Sequence, residues 1–180
     1  QYRWGEEGDS HVRLTGVMRN MFYHDDISAS SRIKTGWGVQ LSGVTAIVPR
    51  LTGYYRYVYG KGIGSYIADL AELPVDLLPD PLSPGRMVQQ GVFGWFVGLK
   101  YAVTKSVFVS AVYSQSGIYN RNGLFSGNDY KRANYFAADV FWDITTRCEV
   151  AAEYLYGNRI DFGGAKGNAN RINLLMRYSF

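Results

Sequence analysis

Hydrophobic and polar positions alternate along this chain with a period of two, most plainly in its last segment. Between Asn170 and Phe180, one side collects Ile172, Leu174, Met176, Tyr178 and Phe180, and the other Arg171, Asn173, Arg177 and Ser179. Only Leu175 breaks the polar set. Successive strand side chains point to opposite faces, so the pattern predicts a strand with one apolar and one wetted face. The same alternation predicts strands over about 12–19, 33–45, 50–60, 88–101, 107–113, 136–144 and 150–156. Gln1 to Trp4 reads as the end of a further strand, which implies chain before it.

The connections alternate too. Longer segments at 24–31, 61–86, 117–132 and 161–168 take turns with brief ones near Pro49, at 102–105 and at Thr145-Thr146. Antiparallel strands joined by short turns at one end and long loops at the other are what a membrane-spanning β-barrel requires. If the terminal strand runs toward the periplasm, every long connection lies outside. Within the longest, Ser65 to Leu73 predicts a short helix capped by Ser65 and stopped by Pro74.

Charges obey the same parity. Arg13, Arg19, Lys34, Arg56, Lys100, Arg171 and Arg177 fall on the polar side of their strands, as do Asp139, Asp143, Glu149 and Glu153; none falls on the apolar side. Parity does not say which face is buried. A soluble sandwich would turn the apolar side inward as a core. Against that stand the length of the strands and the bulk of the apolar face, which carries Trp37, Tyr57, Trp95, Tyr113 and Trp142 among others. The expectation is an all-β, transmembrane antiparallel β-barrel with oil outside and water within. Residues 1–180 form one barrel domain of eight strands.

Composition supports β structure: 16% aromatic residues, led by 15 Tyr, with 21 Gly and 5 Pro. No apolar run reaches the roughly 18 residues of a membrane-crossing helix, which excludes a helical membrane protein but not a barrel. The formal charge of +4 is mild and decides nothing alone. Cys148 is the only cysteine, so no intrachain disulfide forms. The sequence does not begin with Met, and reads as a mature, trimmed or partial chain.

Several segments are similar to one family. Tyr154-Leu155-Tyr156-Gly157-Asn158-Arg159, Gly167-Asn168-Ala169-Asn170-Arg171-Ile172 and the Tyr178-Ser179-Phe180 ending resemble the closing hairpin of DcaP-like porins. Gly62 to Ile67 and Gly5 to Met18 resemble a loop and a turn-and-strand segment of the same family. The resemblance implies a sixteen-stranded, usually homo-trimeric outer-membrane channel for small, often dicarboxylate-like anions, of which this chain is the C-terminal half. It also implies contact with membrane lipid and lipopolysaccharide. The alternative is a complete eight-stranded outer-membrane barrel with a structural or surface-interaction role.

The candidate site is the inner wall. A wetted lumen tolerates ionic side chains, and ladders of Arg and Lys favour anions. On that reading the seven basic residues line the solute path and the four acids form an opposing wall. Otherwise they are salt bridges within the wall, as hairpin geometry suggests for Arg177 and Glu149. The 61–86 segment brings Asp69, Glu72, Asp76 and Asp80; it either enters the lumen as a constriction carrying Asp69 and Glu72, or forms an outer lid or a trimer contact. No enzyme chemistry emerges. His11 and His24 sit at opposite ends and on opposite sides of one strand, and no strand Ser has a His base in reach. No cofactor or metal set is apparent, and nucleic-acid binding is not expected because the aromatics face away from the cations.

Overall fold

The computed structural model describes residues 1–5, 9–120 and 123–180. Its strands are β1 (Tyr2–Trp4), β2 (Ser10–Asp25), β3 (Ser30–Val48), β4 (Leu51–Lys61), β5 (Leu78–Pro79) and β6 (Met87–Val88). These are followed by β7 (Gly91–Ala102), β8 (Val107–Tyr119), β9 (Tyr130–Thr145), β10 (Cys148–Asp161) and β11 (Lys166–Tyr178). Nine of them form a single sheet in the order β1-β2-β3-β4-β7-β8-β9-β10-β11, and β5 and β6 form a separate ribbon. Every pairing is antiparallel. The sheet is open, with β1 and β11 as its edges.

The apolar parity does not make a core. Leu14, Met18, Ile172, Leu174 and Met176 are each more than 70% exposed, and Trp37 and Trp142 are 40% and 51% exposed. A soluble sheet would bury these side chains; here they coat one whole face. The buried residues lie on the other face. Ile63, Ile67, Leu70 and Val75, from the connection between β4 and β7, pack with Val92, Ile118, Tyr130 and Ala133 of the sheet. Thus the polar-parity face carries the only core cluster among the described residues, and it is built by a connection folded onto the sheet.

The strands run longer than the sequence pattern predicts, and the connections correspondingly shorter. β2 and β3 are joined by residues 26–29 alone, not by a loop over 24–31. The Asp25 carboxylate makes this tight turn by accepting from the backbone N–H of Ile27 (3.1 Å) and Ser28 (3.3 Å). Likewise β10 and β11 are joined by 162–165, and β8 and β9 by 120–129. The short-long alternation therefore survives for 62–90 and 120–129 and fails for the other two connections at that end. The helix predicted from Ser65 is two 3₁₀ turns, Gly64–Tyr66 and Ala68–Leu70, with no side-chain cap. Ser65 lies inside the first turn, whose N-cap position is Ile63, and its hydroxyl accepts from Arg19 instead.

The charge parity holds through the strand centres but fails at the extended ends. Lys61 of β4, Arg132 of β9 and Lys166 of β11 lie on the apolar parity of their strands, each beyond the limits predicted from sequence.

Candidate pore wall and its internal loop

Glycines make room for the folded-in connection. Gly36, Gly38 and Gly60 share the polar-parity face of β3 and β4. A Cβ at Gly36 would stand 2.7 Å from the Gly62 carbonyl oxygen, and one at Gly38 would stand 2.5 Å from Ile63 Cδ1. Gly94 of β7 similarly faces Ile67. Without these bare positions, Ile63 and Ile67 would not reach the wall. At the far end of the segment Gly85 has φ +78° and lies against the Asp25 carboxylate.

Polar ties complete the attachment. Arg19 Nη1 donates to Ser65 Oγ and to Asp76 Oδ2 (3.2 Å), and its guanidinium lies 5.6 Å from the Tyr66 ring centre. Asp76 also accepts from the backbone N–H of Gly64. Ser116 Oγ donates to Asp69 Oδ2 (2.7 Å) and lies 2.7 Å from the Tyr130 hydroxyl. Tyr130 reaches this face through a register shift in β9 next to Ile160 and Asp161 of β10. A bulge re-aims a side chain, and here it turns an aromatic from the outer to the inner side.

The predicted wall residues share the polar-parity face of the sheet, in different company. Arg13 donates to Gln1 (3.0 Å), Arg56 to Gln40 (2.7 Å) and Arg171 to Asn173 (2.6 Å). Lys100 lies 3.9 Å above the Phe108 ring, and Lys34 stands opposite Met21 in register. Arg177 pairs with Glu149 at 3.2 Å, as hairpin geometry predicts. Among the acids, Asp139 accepts from Ser110 (2.7 Å) and Glu153 from Asn173 (2.8 Å). Asp143 stands opposite Glu149 in register. Glu72 is exposed on the folded-in segment.

Arg56 and Tyr66 therefore occupy a special position. Two clefts of about 200 Å³ meet at them: one reaches Thr15, Gln40 and Ile63, the other Asp69, Phe96 and Ser114. Arg19 is neutralised by Asp76, whereas Arg13 and Arg56 are held by neutral carboxamides and keep their charge available. A carboxylate entering this groove would meet the Arg56 guanidinium, whose planar fork of donors suits it.

Three features were not anticipated from sequence. Arg159, on the inner parity of β10, pairs with Asp161 (2.8 Å) and lies 5.5 Å from the Tyr130 ring; extending the alternation past Tyr156 finds it. Arg32 pairs with the buried Asp25 (3.0 Å), hidden because Asp25 was assigned to a loop and Arg32 fell between that loop and the predicted strand. Tyr130 carried no signal, since a bulge leaves none in a period-two pattern. The inner wall also carries aromatics beside cations, contrary to the expected segregation.

No protein-family profile and no curated protein matches this sequence. Among solved structures, the chain is similar to the outer membrane channel DcaP of Acinetobacter baumannii. The TM-score is 0.77 and the identity 18%, over 97% of this chain and 48% of that one. It is also similar to the NanC porin, with TM-score 0.53 and 14% identity, over 99% of this chain and 90% of that one. This chain thus spans about half the length of the DcaP channel. Both are channels rather than enzymes, and the likeness establishes the fold: this chain is built as the wall of an outer-membrane porin is built.

Proposed function

We propose that this chain is part of a passive outer-membrane porin that admits small anionic, dicarboxylate-like solutes. The observation that carries the reading is the inverted sheet. Its apolar face is exposed as a continuous surface, and its polar face holds ionic side chains together with an inserted segment. In water that arrangement would be strongly unfavourable; around a lumen in lipid it is the expected one.

The open edges of β1 and β11 call for further strands, since an unpaired strand edge does not survive in hydrocarbon. A sixteen-stranded barrel, of which this sheet is half, supplies them. Segment 62–90 narrows the lumen, setting Asp69 and Glu72 against the basic wall. Arg13 and Arg56 are the primary anion contacts, with Arg171 on the opposite flank of the sheet. Arg19 serves mainly to hold the segment. The channel assembles as a homo-trimer, a point that chemical cross-linking of the whole protein in membranes would check.

Reversal potential tests the selectivity. The whole protein is placed in planar bilayers under a salt gradient, and Arg13→Gln with Arg56→Gln is compared with the parent. The variant is expected to lose anion preference while conducting. An unchanged reversal potential would remove these two residues from the path.

A further inference from the structure

The outward face of β8 to β11 changes chemistry in layers as it rises toward the end that carries the longer connections. Ala111, Ala138, Tyr154 and Ile172 form one register row, apolar apart from the Tyr154 hydroxyl, which donates upward to Asn170 (2.6 Å). Above them come Tyr113, Phe136 and Tyr156, an aromatic layer suited to a membrane interface, which Asn170 continues on β11.

The next row is made of carboxamides: Gln115, Asn134, Asn158 and Asn168 face one another in consecutive strands. Gln115 Nε2 donates to Asn134 Oδ1 (2.5 Å), the Tyr113 hydroxyl donates to the same oxygen (3.4 Å), and Asn134 Nδ2 donates to Asn158 Oδ1 (3.4 Å). A cleft of about 500 Å³ opens here, bordered by Tyr113, Asn134, Tyr156, Asn158, Lys166 and Asn168.

The topmost row holds Arg132 and Lys166, each directly opposite Ile160. Both cations are exposed, and neither has an ion-pair partner among the described residues. These are charges on the face that otherwise meets hydrocarbon, so their height matters. Lys166 and Tyr178 bound β11, which places Ile172 at its middle. The distance from Ile172 to Lys166 is about 20 Å along the strand at ~3.3 Å per residue. With the usual barrel tilt that becomes roughly 15 Å above the midplane, the edge of the hydrocarbon band. The carboxamide row lies a few ångströms lower.

Oil, aromatic, carboxamide and cation thus succeed one another in the order in which a lipid presents acyl chain, interface, carbonyl-and-hydroxyl linkage and phosphate. We propose that this corner binds the phosphorylated headgroup of an outer-leaflet glycolipid. Arg132 and Lys166 take the phosphate, and the Asn134–Asn158–Asn168 row takes the sugar-proximal amide and ester groups. The proposal rests on the membrane orientation of the porin reading and goes beyond it by assigning a site outside the lumen.

The test uses the whole protein in detergent micelles and diphosphorylated lipid A as the probe, with native mass spectrometry as readout. Dephosphorylated lipid A, phosphatidylcholine and inorganic phosphate are the comparison probes. The parent should retain diphosphorylated lipid A in preference to the two other lipids, and more weakly as salt rises. Arg132→Gln with Lys166→Gln should weaken retention by about tenfold or more, given what one cation contributes beside an anionic lipid surface. Single-channel conductance is read on the same preparations and should not change between parent and variant.

Equal retention by parent and variant would overturn the proposal. So would equal retention of dephosphorylated lipid A, which would mean that the acyl chains alone hold it. Competition by inorganic phosphate at matching concentration would overturn it as well, by showing a free-anion site. Retention that is independent of salt in the parent would do so without any variant. Loss of conductance in the parent, with lipid retention intact, would instead count against the porin reading and leave the headgroup site standing.

Discussion

Truncating Leu70 to alanine asks how segment 62–90 is held. Leu70 is fully buried, among Ile63, Ile67 and Val75 of its own segment and Val92 and Ile118 of the wall. Removing a buried leucine side chain costs about 2–5 kcal/mol, the spread reflecting how far the site collapses. The polar ties set the comparison. The Arg19–Asp76 pair is 29% and 19% exposed, so solvent screening reduces it to roughly 1 kcal/mol or less. The Ser116–Asp69 hydrogen bond adds about 1–3 kcal/mol because its acceptor is ionic. A loss of the apolar anchor therefore matches or exceeds either polar tie, and it shifts the attached-to-detached ratio at least thirtyfold at about 2 kcal/mol. Single-channel recording in planar bilayers should show a larger or flickering conductance for Leu70→Ala, and liposome swelling should admit larger sugars. Faster proteolysis within 62–90 would report detachment independently. If the segment became protease-sensitive while conductance and size cut-off stayed at parent values, the constriction would be refuted. If none of the three changed, the anchoring argument itself would fail.

Two other changes probe separate parts of the structure. Gly85→Ala would force a methyl to within 2.2 Å of an Asp25 oxygen at a backbone φ of +78°. Asp25 is fixed by Ile27, Ser28 and Arg32 and has little freedom to yield, so protease resistance of 62–90 should fall, with a cost of at least ~1–2 kcal/mol from the left-handed backbone alone; unchanged resistance would show that this corner does not hold the segment. Leu99→Arg places a cation on the outward face of β7, 49% exposed, and should cost about 2–4 kcal/mol when folding is measured into lipid vesicles; a value near zero would place that face in water.

How far the sequence carried the fold is clear from particular residues. Period-two alternation located the eight long strands and their inner and outer faces, because it follows from strand geometry and needs no partner. The Glu149–Arg177 pair was legible for the same reason: a regular antiparallel hairpin keeps its register along both strands. The strand ends were not. Met21 and Tyr23 continue the inner parity of β2 with bulky, largely apolar side chains that break the alternation, and Asp25 reads as loop until the segment that covers it is known. Gly36, Gly38, Gly60 and Gly94 were visible as inner-face glycines, yet their purpose depends on residues 63–67 arriving from elsewhere in the chain.

The inner wall was readable in identity and unreadable in function. Arg13, Arg19 and Arg56 looked alike in sequence. Only the folded-in segment separates them, by giving Arg19 a carboxylate and leaving the others with Gln1 and Gln40. Similarly, Asp69 is drawn toward Ser116 and Tyr130 by packing that no local pattern encodes. Where a property follows from spacing along one strand, the sequence discloses it; where it requires two distant segments to meet, it does not.

In the porin reading, the exposed apolar face meets lipid and the opposite face meets water. Spin labels at successive positions 96 to 101 of β7, in a Cys148→Ser background of the whole protein in lipid vesicles, test it most directly. Strict alternation is expected: labels at 97, 99 and 101 relax with membrane-dissolved oxygen, and those at 96, 98 and 100 with a water-soluble nickel chelate. Uniform access of the nickel chelate to 97, 99 and 101 would contradict it.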